Sequence, residues 1–392
     1  SKANKYTFVW RKTTETNRSK LIEKIKILLG QIDDCIAQEN TDELDPQSIS
    51  PADLRNLADE LNRTLEQQPK PVTKEERKAQ REKKKQIKHL NEHADKLGEY
   101  NHKLSKLGER NSYSKTDEDA TFMRMKEDAM LNGQLKPAYN VQHAVDAGYI
   151  TWVSISAYTT DTRTLIPLLR EMEKNLKFKY RDIVADAGYE SEENYLFLTD
   201  NGQLSYIKPT NYEISKTRKY KTDIGRRENM AYDRETDSYT CRNNRRLAVT
   251  GIKKHRTSSG YVGTATVYKC ADCSGCPYKL KCIKGNNCKT PMDQRNKTLT
   301  VSKVKEEKRA ENLERILSDH GTKLRMNRSI QAEGSFAVVK EDMGFRQYLY
   351  RGRSNVLAES ILAAIAYNIN KLHWRIQSKK TDIRLYELKE SV

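Results

Sequence analysis

The chain has 392 residues, enough for two or three domains and a substantial buried core. Lys and Arg number 72 against 54 Asp and Glu, a net charge of +18, which points to a polyanion such as nucleic acid or to a solvated basic surface. Folded domains follow from 36% hydrophobic residues and 21 Tyr, which argue against disorder, and no stretch reads as a membrane span. The apolar run near Leu357–Leu372 is broken by Glu359, Asn368, Asn370 and Lys371. The first residues show no signal-peptide core and no initiator Met, and read as a chain entered in the middle. Seven Cys without a secretory signal suit a reducing compartment, with thiols free or on metal.

Residues 1–110 read as a basic helical region. An amphipathic helix is expected over 14–40, from Leu21, Ile25, Leu28, Leu29, Ile32 and Ile36, and a second over 51–67. Residues 70–110 hold 13 Lys or Arg against 7 Asp or Glu, with a thin stripe of Leu90, Leu97, Leu104 and Leu107. That is a solvated helical hairpin or linker, or a helical arm lying along DNA.

Residues 111–209 change texture. Strands are expected at Ser112–Met125, Pro137–Asp146 and Tyr149–Tyr158, then a helix after Thr160-Asp161-Thr162. A short buried strand, Asp182–Asp186, a helix at Glu190–Thr199 and a strand at Leu204–Lys208 complete the series. Three strands in hairpin succession, then helix, strand, helix, strand, is the order of an RNase H-like mixed sheet flanked by helices, an α/β fold. Residues 210–302 read as a β-rich, Cys-containing insertion. Residues 303–392 return to helices, at Lys303–Leu317, Arg325–Glu341 and Asn355–Arg375.

Two carboxylates stand out. Asp186 ends the apolar strand in Val184-Ala185-Asp186-Ala187-Gly188-Tyr189, where a carboxylate emerges at the sheet edge; alone, an Asp there is more often a helix cap or turn former. Glu333 and Lys340 are seven residues apart, two turns along one helix face, the spacing of a shared site or of a surface ion pair. Together with Thr116-Asp117-Glu118-Asp119-Ala120, Lys136–Gln142, Gly344-Phe345-Arg346 and Arg351-Gly352, these motifs resemble the insertion-sequence DDE transposases over residues 110–375. In that family the Glu lies in a helical pattern Tyr-x2-Arg-x3-Glu-x6-Lys. Here Met326 and Ser329 replace the Tyr and Arg, and Arg328 stands one position away.

The resemblance implies an RNase H-like catalytic domain, shortened at its N-terminus, that cleaves and joins DNA using two Mg²⁺ or Mn²⁺ ions. Two such ions about 3.5–4 Å apart need several convergent carboxylates. Asp117, Asp186 and Glu333 are the expected set. Asp119 and Asp146 are alternatives for the first position, because Asp117 and Asp119 would share a face of strand one. Asp161 reads as a helix cap. Arg328, Lys340, Arg346, Arg351 and Arg353 are the expected DNA contacts. Transposon-end DNA and target DNA, a homodimer on DNA and a bacterial cytoplasmic, nucleoid-associated setting follow from the same resemblance. The competing readings are a catalytically inactive, transposase-derived DNA-binding or zinc-ribbon protein, and an RNase H-like nuclease without strand transfer.

Cys270, Cys273, Cys276 and Cys282 follow Cys-x2-Cys-x2-Cys-x5-Cys, with Cys288 beyond. This spacing suits a structural Zn²⁺, with free thiols or an iron–sulfur cluster as alternatives. Cys35 and Cys241 read as bystanders. The insertion's basic run, including Arg242, Arg245, Arg246, Lys253 and Lys254 among Tyr residues, suits phosphate contact and stacking, or a solvated loop.

Overall fold

The computed structural model describes residues 8–36, 49–69, 71–124, 135–257, 259–285, 288–345 and 347–387. Two compact units are present: Ser1–Tyr139 with Arg351–Arg353, and Asn140–Tyr350 with Ser354–Val392. Each mixes helix and strand, so the α/β class holds.

The first unit opens with β1 (Phe8–Trp10), followed by α1 (Arg11–Ile36), α2 (Pro51–Gln67) and α3 (Lys74–Leu107). Two capping boxes set the helix starts. Ser50 Oγ accepts from Asp53 N at 3.2 Å while Asp53 accepts from Ser50 N at 2.8 Å. Thr73 and Glu76 repeat the arrangement at α3. The expected solvated hairpin or linker over 70–110 is instead mostly one 34-residue helix. Its thin apolar stripe finds a core: Leu90, Ala94 and Leu97 pack with Leu54 and Ala58 of α2 and with Leu21, Ile25, Leu28 and Ile32 of α1. Full burial of each large side chain contributes roughly 1.5–3 kcal/mol.

Strand β2 (Ser112–Ser114) pairs antiparallel with β1, and β3 (Thr121–Arg124) pairs with β4 (Leu135–Ala138). The expected single strand over 112–125 is therefore broken. Residues 115–119 turn back on themselves, with Ser114 N bonded to Ala120 O at 3.2 Å and Ala120 N to Asp117 O at 3.1 Å. Asp117 and Asp119 lie in this turn and not on one face of a strand.

The second unit begins with the hairpin β5 (Asn140–Asp146) and β6 (Tyr149–Ser156). Helix α4 (Leu165–Leu176), β7 (Asp182–Ala185), α5 (Glu192–Asp200) and β8 (Leu204–Ile207) follow, with β7 and β8 parallel. Leu165, Ile183, Tyr195, Leu198 and Ile207 form the core between them. Short helices α6 (Tyr212–Ser215) and α7 (Arg218–Lys221) lead into a five-stranded antiparallel sheet. It comprises β9 (Ala231–Asp233), β10 (Ser238–Thr240), β11 (Arg246–Arg256), β12 (Val262–Cys270) and β13 (Thr298–Val301), in the order β13-β12-β11-β10-β9, with α8 (Lys279–Cys282) between β12 and β13. The β-rich reading of this segment agrees with the structure.

Helices α9 (Lys303–Leu317), α10 (Asp319–Arg328), α11 (Gly334–Ala337) and α12 (Arg353–Gln377) close the chain. Two of them shield sheet edges with side-chain amides. Asn312 of α9 accepts from Ile207 N at 2.9 Å and donates to Ile207 O at 2.6 Å. Asn368 of α12 does the same for Ile150, at 2.9 Å in both directions. Each amide stands in for a missing neighbouring strand. Among the described residues, β5–β6 and β7–β8 remain separate hydrogen-bonded pairs. Along α12 the buried face is Val356, Ser360, Ala364 and Tyr367. Ile361 and Leu372 of this helix are exposed. Among the described residues no helix is long and apolar enough to cross a membrane.

Candidate active site

Asp186 follows directly from β7, as its sequence context predicts. Its Oδ1 accepts the Gly188 N–H at 2.8 Å, which holds the Ala187–Tyr189 turn, so the turn-forming role is real as well. Beside it opens a cleft of about 250 Å³ lined by Asp186, Gly188, Lys208, Thr210 and Arg328. Lys208 is paired with Glu213 at 2.6 Å.

Glu333 does not line this cleft itself, but it is paired with Arg328, which does. Arg328 Nη2 lies 2.7 Å from Glu333 Oε1, and Ser329 Oγ donates to Glu333 Oε2 at 3.1 Å. Ser329–Glu333 is a π turn inserted after α10. In a π turn the residue five positions back stands where an α-helix places the fourth. The one-position displacement of Arg328 from the family pattern is thereby absorbed in the backbone. Glu333 pairs with Arg328 rather than with Lys340. Lys340 lies in a second π turn, Val338–Asp342, with Nζ 5.9 Å from the Phe336 ring centre. His143 stacks flat on the same ring at 4.1 Å. Burial, reinforced by the Lys340 charge, holds the His143 pKa down at about 4, so its imidazole is neutral near pH 7.

Asp161 does not cap a helix with its side chain. The residue ahead of its turn is Thr160, which makes no side-chain cap bond. The Asp161 carboxylate instead takes amide hydrogens from Asn140 Nδ2 at 2.7 Å and Gln142 Nε2 at 3.2 Å. Gln142 also accepts the Tyr189 hydroxyl. Burial pushes the Tyr189 phenol up, and the nearby Asp161 and Asp186 charges add to the shift. Asp146 ends β5 six residues beyond Asn140, roughly 20 Å along the strand, far from this cluster.

In the first unit, both Asp117 oxygens accept the Tyr139 hydroxyl at 2.8 Å, and Oδ1 faces Gly352 N at 3.3 Å. Asp119 Oδ2 accepts Arg353 N at 2.9 Å, and Arg351 Nη1 reaches Thr116 O at 3.5 Å. Burial and the Asp117 hydrogen bond push the Tyr139 phenol well above its usual range. Arg346 lies outside the described residues.

Cys270, Cys273 and Cys282 are buried in the core of the five-stranded sheet with Tyr239, Leu247 and Tyr268. Cys241, partly buried, packs against the same cluster. Burial pushes the Cys270 thiol up to about 11, with Cys273 and then Cys241 adding to it. Cys282 is raised by burial, with Cys241, Cys273 and Cys276 contributing. Among the described residues, no three His, Cys, Asp or Glu side chains are grouped to hold an ion. The thiols are thus gathered without converging as four zinc ligands.

The cleft thus sets a carboxylate at the end of a parallel strand beside two cations, Lys208 and Arg328, each paired with a glutamate, Glu213 and Glu333. Residues 240–373, which include Glu333, match the family model described as a transposase DDE domain, so this third of the chain is similar to the DDE transposases that its motifs resemble. Neither a curated protein nor a solved structure matches the chain.

Proposed function

We propose that the chain cleaves DNA at the ends of an insertion sequence and joins those ends to target DNA, with Mg²⁺ or Mn²⁺. The observation that carries this reading is the cleft that brings Asp186 together with Arg328, the partner of Glu333. The donor chemistry fits, since Mg²⁺ is commonly held by one or two carboxylates plus substrate phosphates and water. Divalent ions bound there supply polarisation of the scissile phosphate and an activated attacking oxygen. Asp186 and Glu333 offer the carboxylate oxygens. Arg328 orients Glu333 and, with Lys208, presents positive charge to the phosphate backbone. Asp117 joins them as the first carboxylate on the family resemblance alone. DNA carrying the gene's genomic flanks, incubated with the chain and Mg²⁺ or Mn²⁺, should yield both nicked and joined products. Nicking without joining favours a nuclease, and neither favours a DNA-binding derivative.

Lys340, Arg351 and Arg353, with Arg346, are proposed to hold the end DNA. Glu359, a possible internal partner for such cations, instead accepts the Leu349 and Tyr350 N–H groups at 3.0 and 2.8 Å. Lys340→Ala and Arg351→Ala should each lower the slope of log affinity against log salt by roughly one. Unchanged slope and affinity in both variants would return these residues to a solvated face.

A structural Zn²⁺ on Cys270, Cys273, Cys276 and Cys282 is proposed from their spacing and from the gathering of three of them, Cys270, Cys273 and Cys282, in one core. Elemental analysis of chain purified without chelator should find about one zinc per chain. A folded, metal-free insertion would leave the thiols as core residues.

A further inference from the structure

We propose that Asp161 is a metal-facing carboxylate, set opposite Asp186 across Gly188. This rests on the reading of Asp186 as a metal ligand and adds to it a residue that neither the Asp-x-Gly-Tyr turn nor the Glu-bearing helix contains.

The placement comes from three segments. Strand β5 supplies Asn140 and Gln142, alternate residues on one face, whose amides both donate to Asp161 Oδ1. Gln142 is itself only 4% exposed and tied to Tyr189, so the donor pair is fixed against the Asp186 turn. With Oδ1 so held, the second oxygen is turned to Gly188. A Cβ at position 188 would stand 3.0 Å from Asp161 Oδ2 and 3.0 Å from Asp186 Oδ1. Its φ is not in the left-handed region, so it is this approach that glycine eases: any side chain there would press on both oxygens. The missing methyl group leaves a cradle on which two carboxylate oxygens converge.

Two like charges brought this close repel each other unless a cation lies between them. The chain places no Lys or Arg hydrogen bond or ion pair on either carboxylate among the described residues; each is held by neutral N–H donors. Neutral donors fix the oxygens and leave the pair's negative charge for a ligand. Two carboxylate oxygens with room for water and phosphate match a hard divalent ion. Asp146, at the far end of β5, has no part in this arrangement.

Mn²⁺ binding to the full chain, read by electron paramagnetic resonance in the absence of DNA, tests the assignment. Asp161→Asn keeps an oxygen to accept from Asn140 and Gln142 and removes only the charge. It should weaken Mn²⁺ binding about tenfold or more, as Asp186→Asn should, with thermal unfolding unchanged. If Asp161→Asn binds Mn²⁺ like the parent while Asp186→Asn does not, Asp161 is a positioning residue and this inference fails. If both bind like the parent, the reading of Asp186 fails first. Should Asp161→Asn not fold, Asp161→Ser, smaller and still able to accept from Asn140, is measured instead. The same weakening is then expected, and parent-like affinity overturns the proposal.

Discussion

Asp186→Asn and Glu333→Gln should each lower metal-dependent DNA cleavage by roughly a thousandfold or more while leaving end-DNA affinity nearly intact. Both substitutions are isosteric and remove an anionic oxygen without removing the local hydrogen bonds. An Asn at 186 can still accept the Gly188 N–H that Asp186 holds at 2.8 Å, so the turn should persist. A Gln at 333 keeps one oxygen to accept from Arg328, and its amide N–H can donate to Ser329 Oγ in place of the bond accepted there, so the π turn should persist. On the proposed assignment DNA binding rests on the basic residues, so it should change little. Groups that act on the same metal centre act as a unit, so the double variant should be hardly slower than either single one. Near-parental cleavage by either variant would remove that residue from the site. Asp117→Asn belongs in the same assay: a comparable loss keeps Asp117 as the first carboxylate, and parental activity limits it to its bonds with Tyr139 and Gly352.

The contrast among these residues shows what local pattern can and cannot convey. Helices α2 and α9 were readable to the residue, because Pro51 and Ser302 mark their starts and the apolar period runs on from there. Asp186 was readable because an apolar Ile-Val-Ala run ending in Asp and followed by Gly gives strand and turn together. The stretch around Asp117 was misread for the opposite reason. Its alternating residues suit a strand, but Ser114 Oγ accepts from Thr116 N at 3.3 Å and lies 2.9 Å from Thr116 Oγ1, and these local bonds favour a turn. Asp161 gave no local signal, since its donors sit 21 and 19 residues earlier on β5. Cys241 lies 29 residues before Cys270. Only the pairing of β10 with β11, and of Leu247 with Cys270 across β11 and β12, brings it to the cluster. The Arg328–Glu333 pair depends on a π turn, which a fixed 3.6-residue period cannot express.

Glu190→Gln should destabilise the second unit by about 3–5 kcal/mol, the cost of breaking a buried ion pair by removing one partner's charge. Glu190 is the residue after Tyr189 in the Asp186 turn, and its side chain is fully buried. Arg309 of α9 grips it with two bonds, at 2.6 and 2.8 Å, and Thr210 adds its N–H at 2.8 Å and its hydroxyl at 2.9 Å. One carboxylate thus ties the turn, the segment after β8 and α9 together behind the cleft. Burial alone would raise the Glu190 pKa, but the Arg309 hydrogen bonds, the Thr210 N–H and the Arg309 charge outweigh it and bring the group from 4.5 to about 2. Because the folded value lies below the unfolded one, the stabilisation is present in full above pH 4.5 and is lost as pH falls towards 2. Its size near pH 7 is about 3 kcal/mol, taking 1.4 kcal/mol for each pH unit of the shift. Urea unfolding of the parent and of Glu190→Gln should therefore differ widely at pH 7 and converge as the medium is acidified through pH 4 to pH 3. Arg309→Met should be similarly costly, because it strands a buried carboxylate, whereas Glu190→Gln with Arg309→Met should recover part of the loss. An equal gap between parent and Glu190→Gln at pH 7 and pH 3 would show that packing, and not charge, is what Glu190 contributes to the turn that holds Asp186.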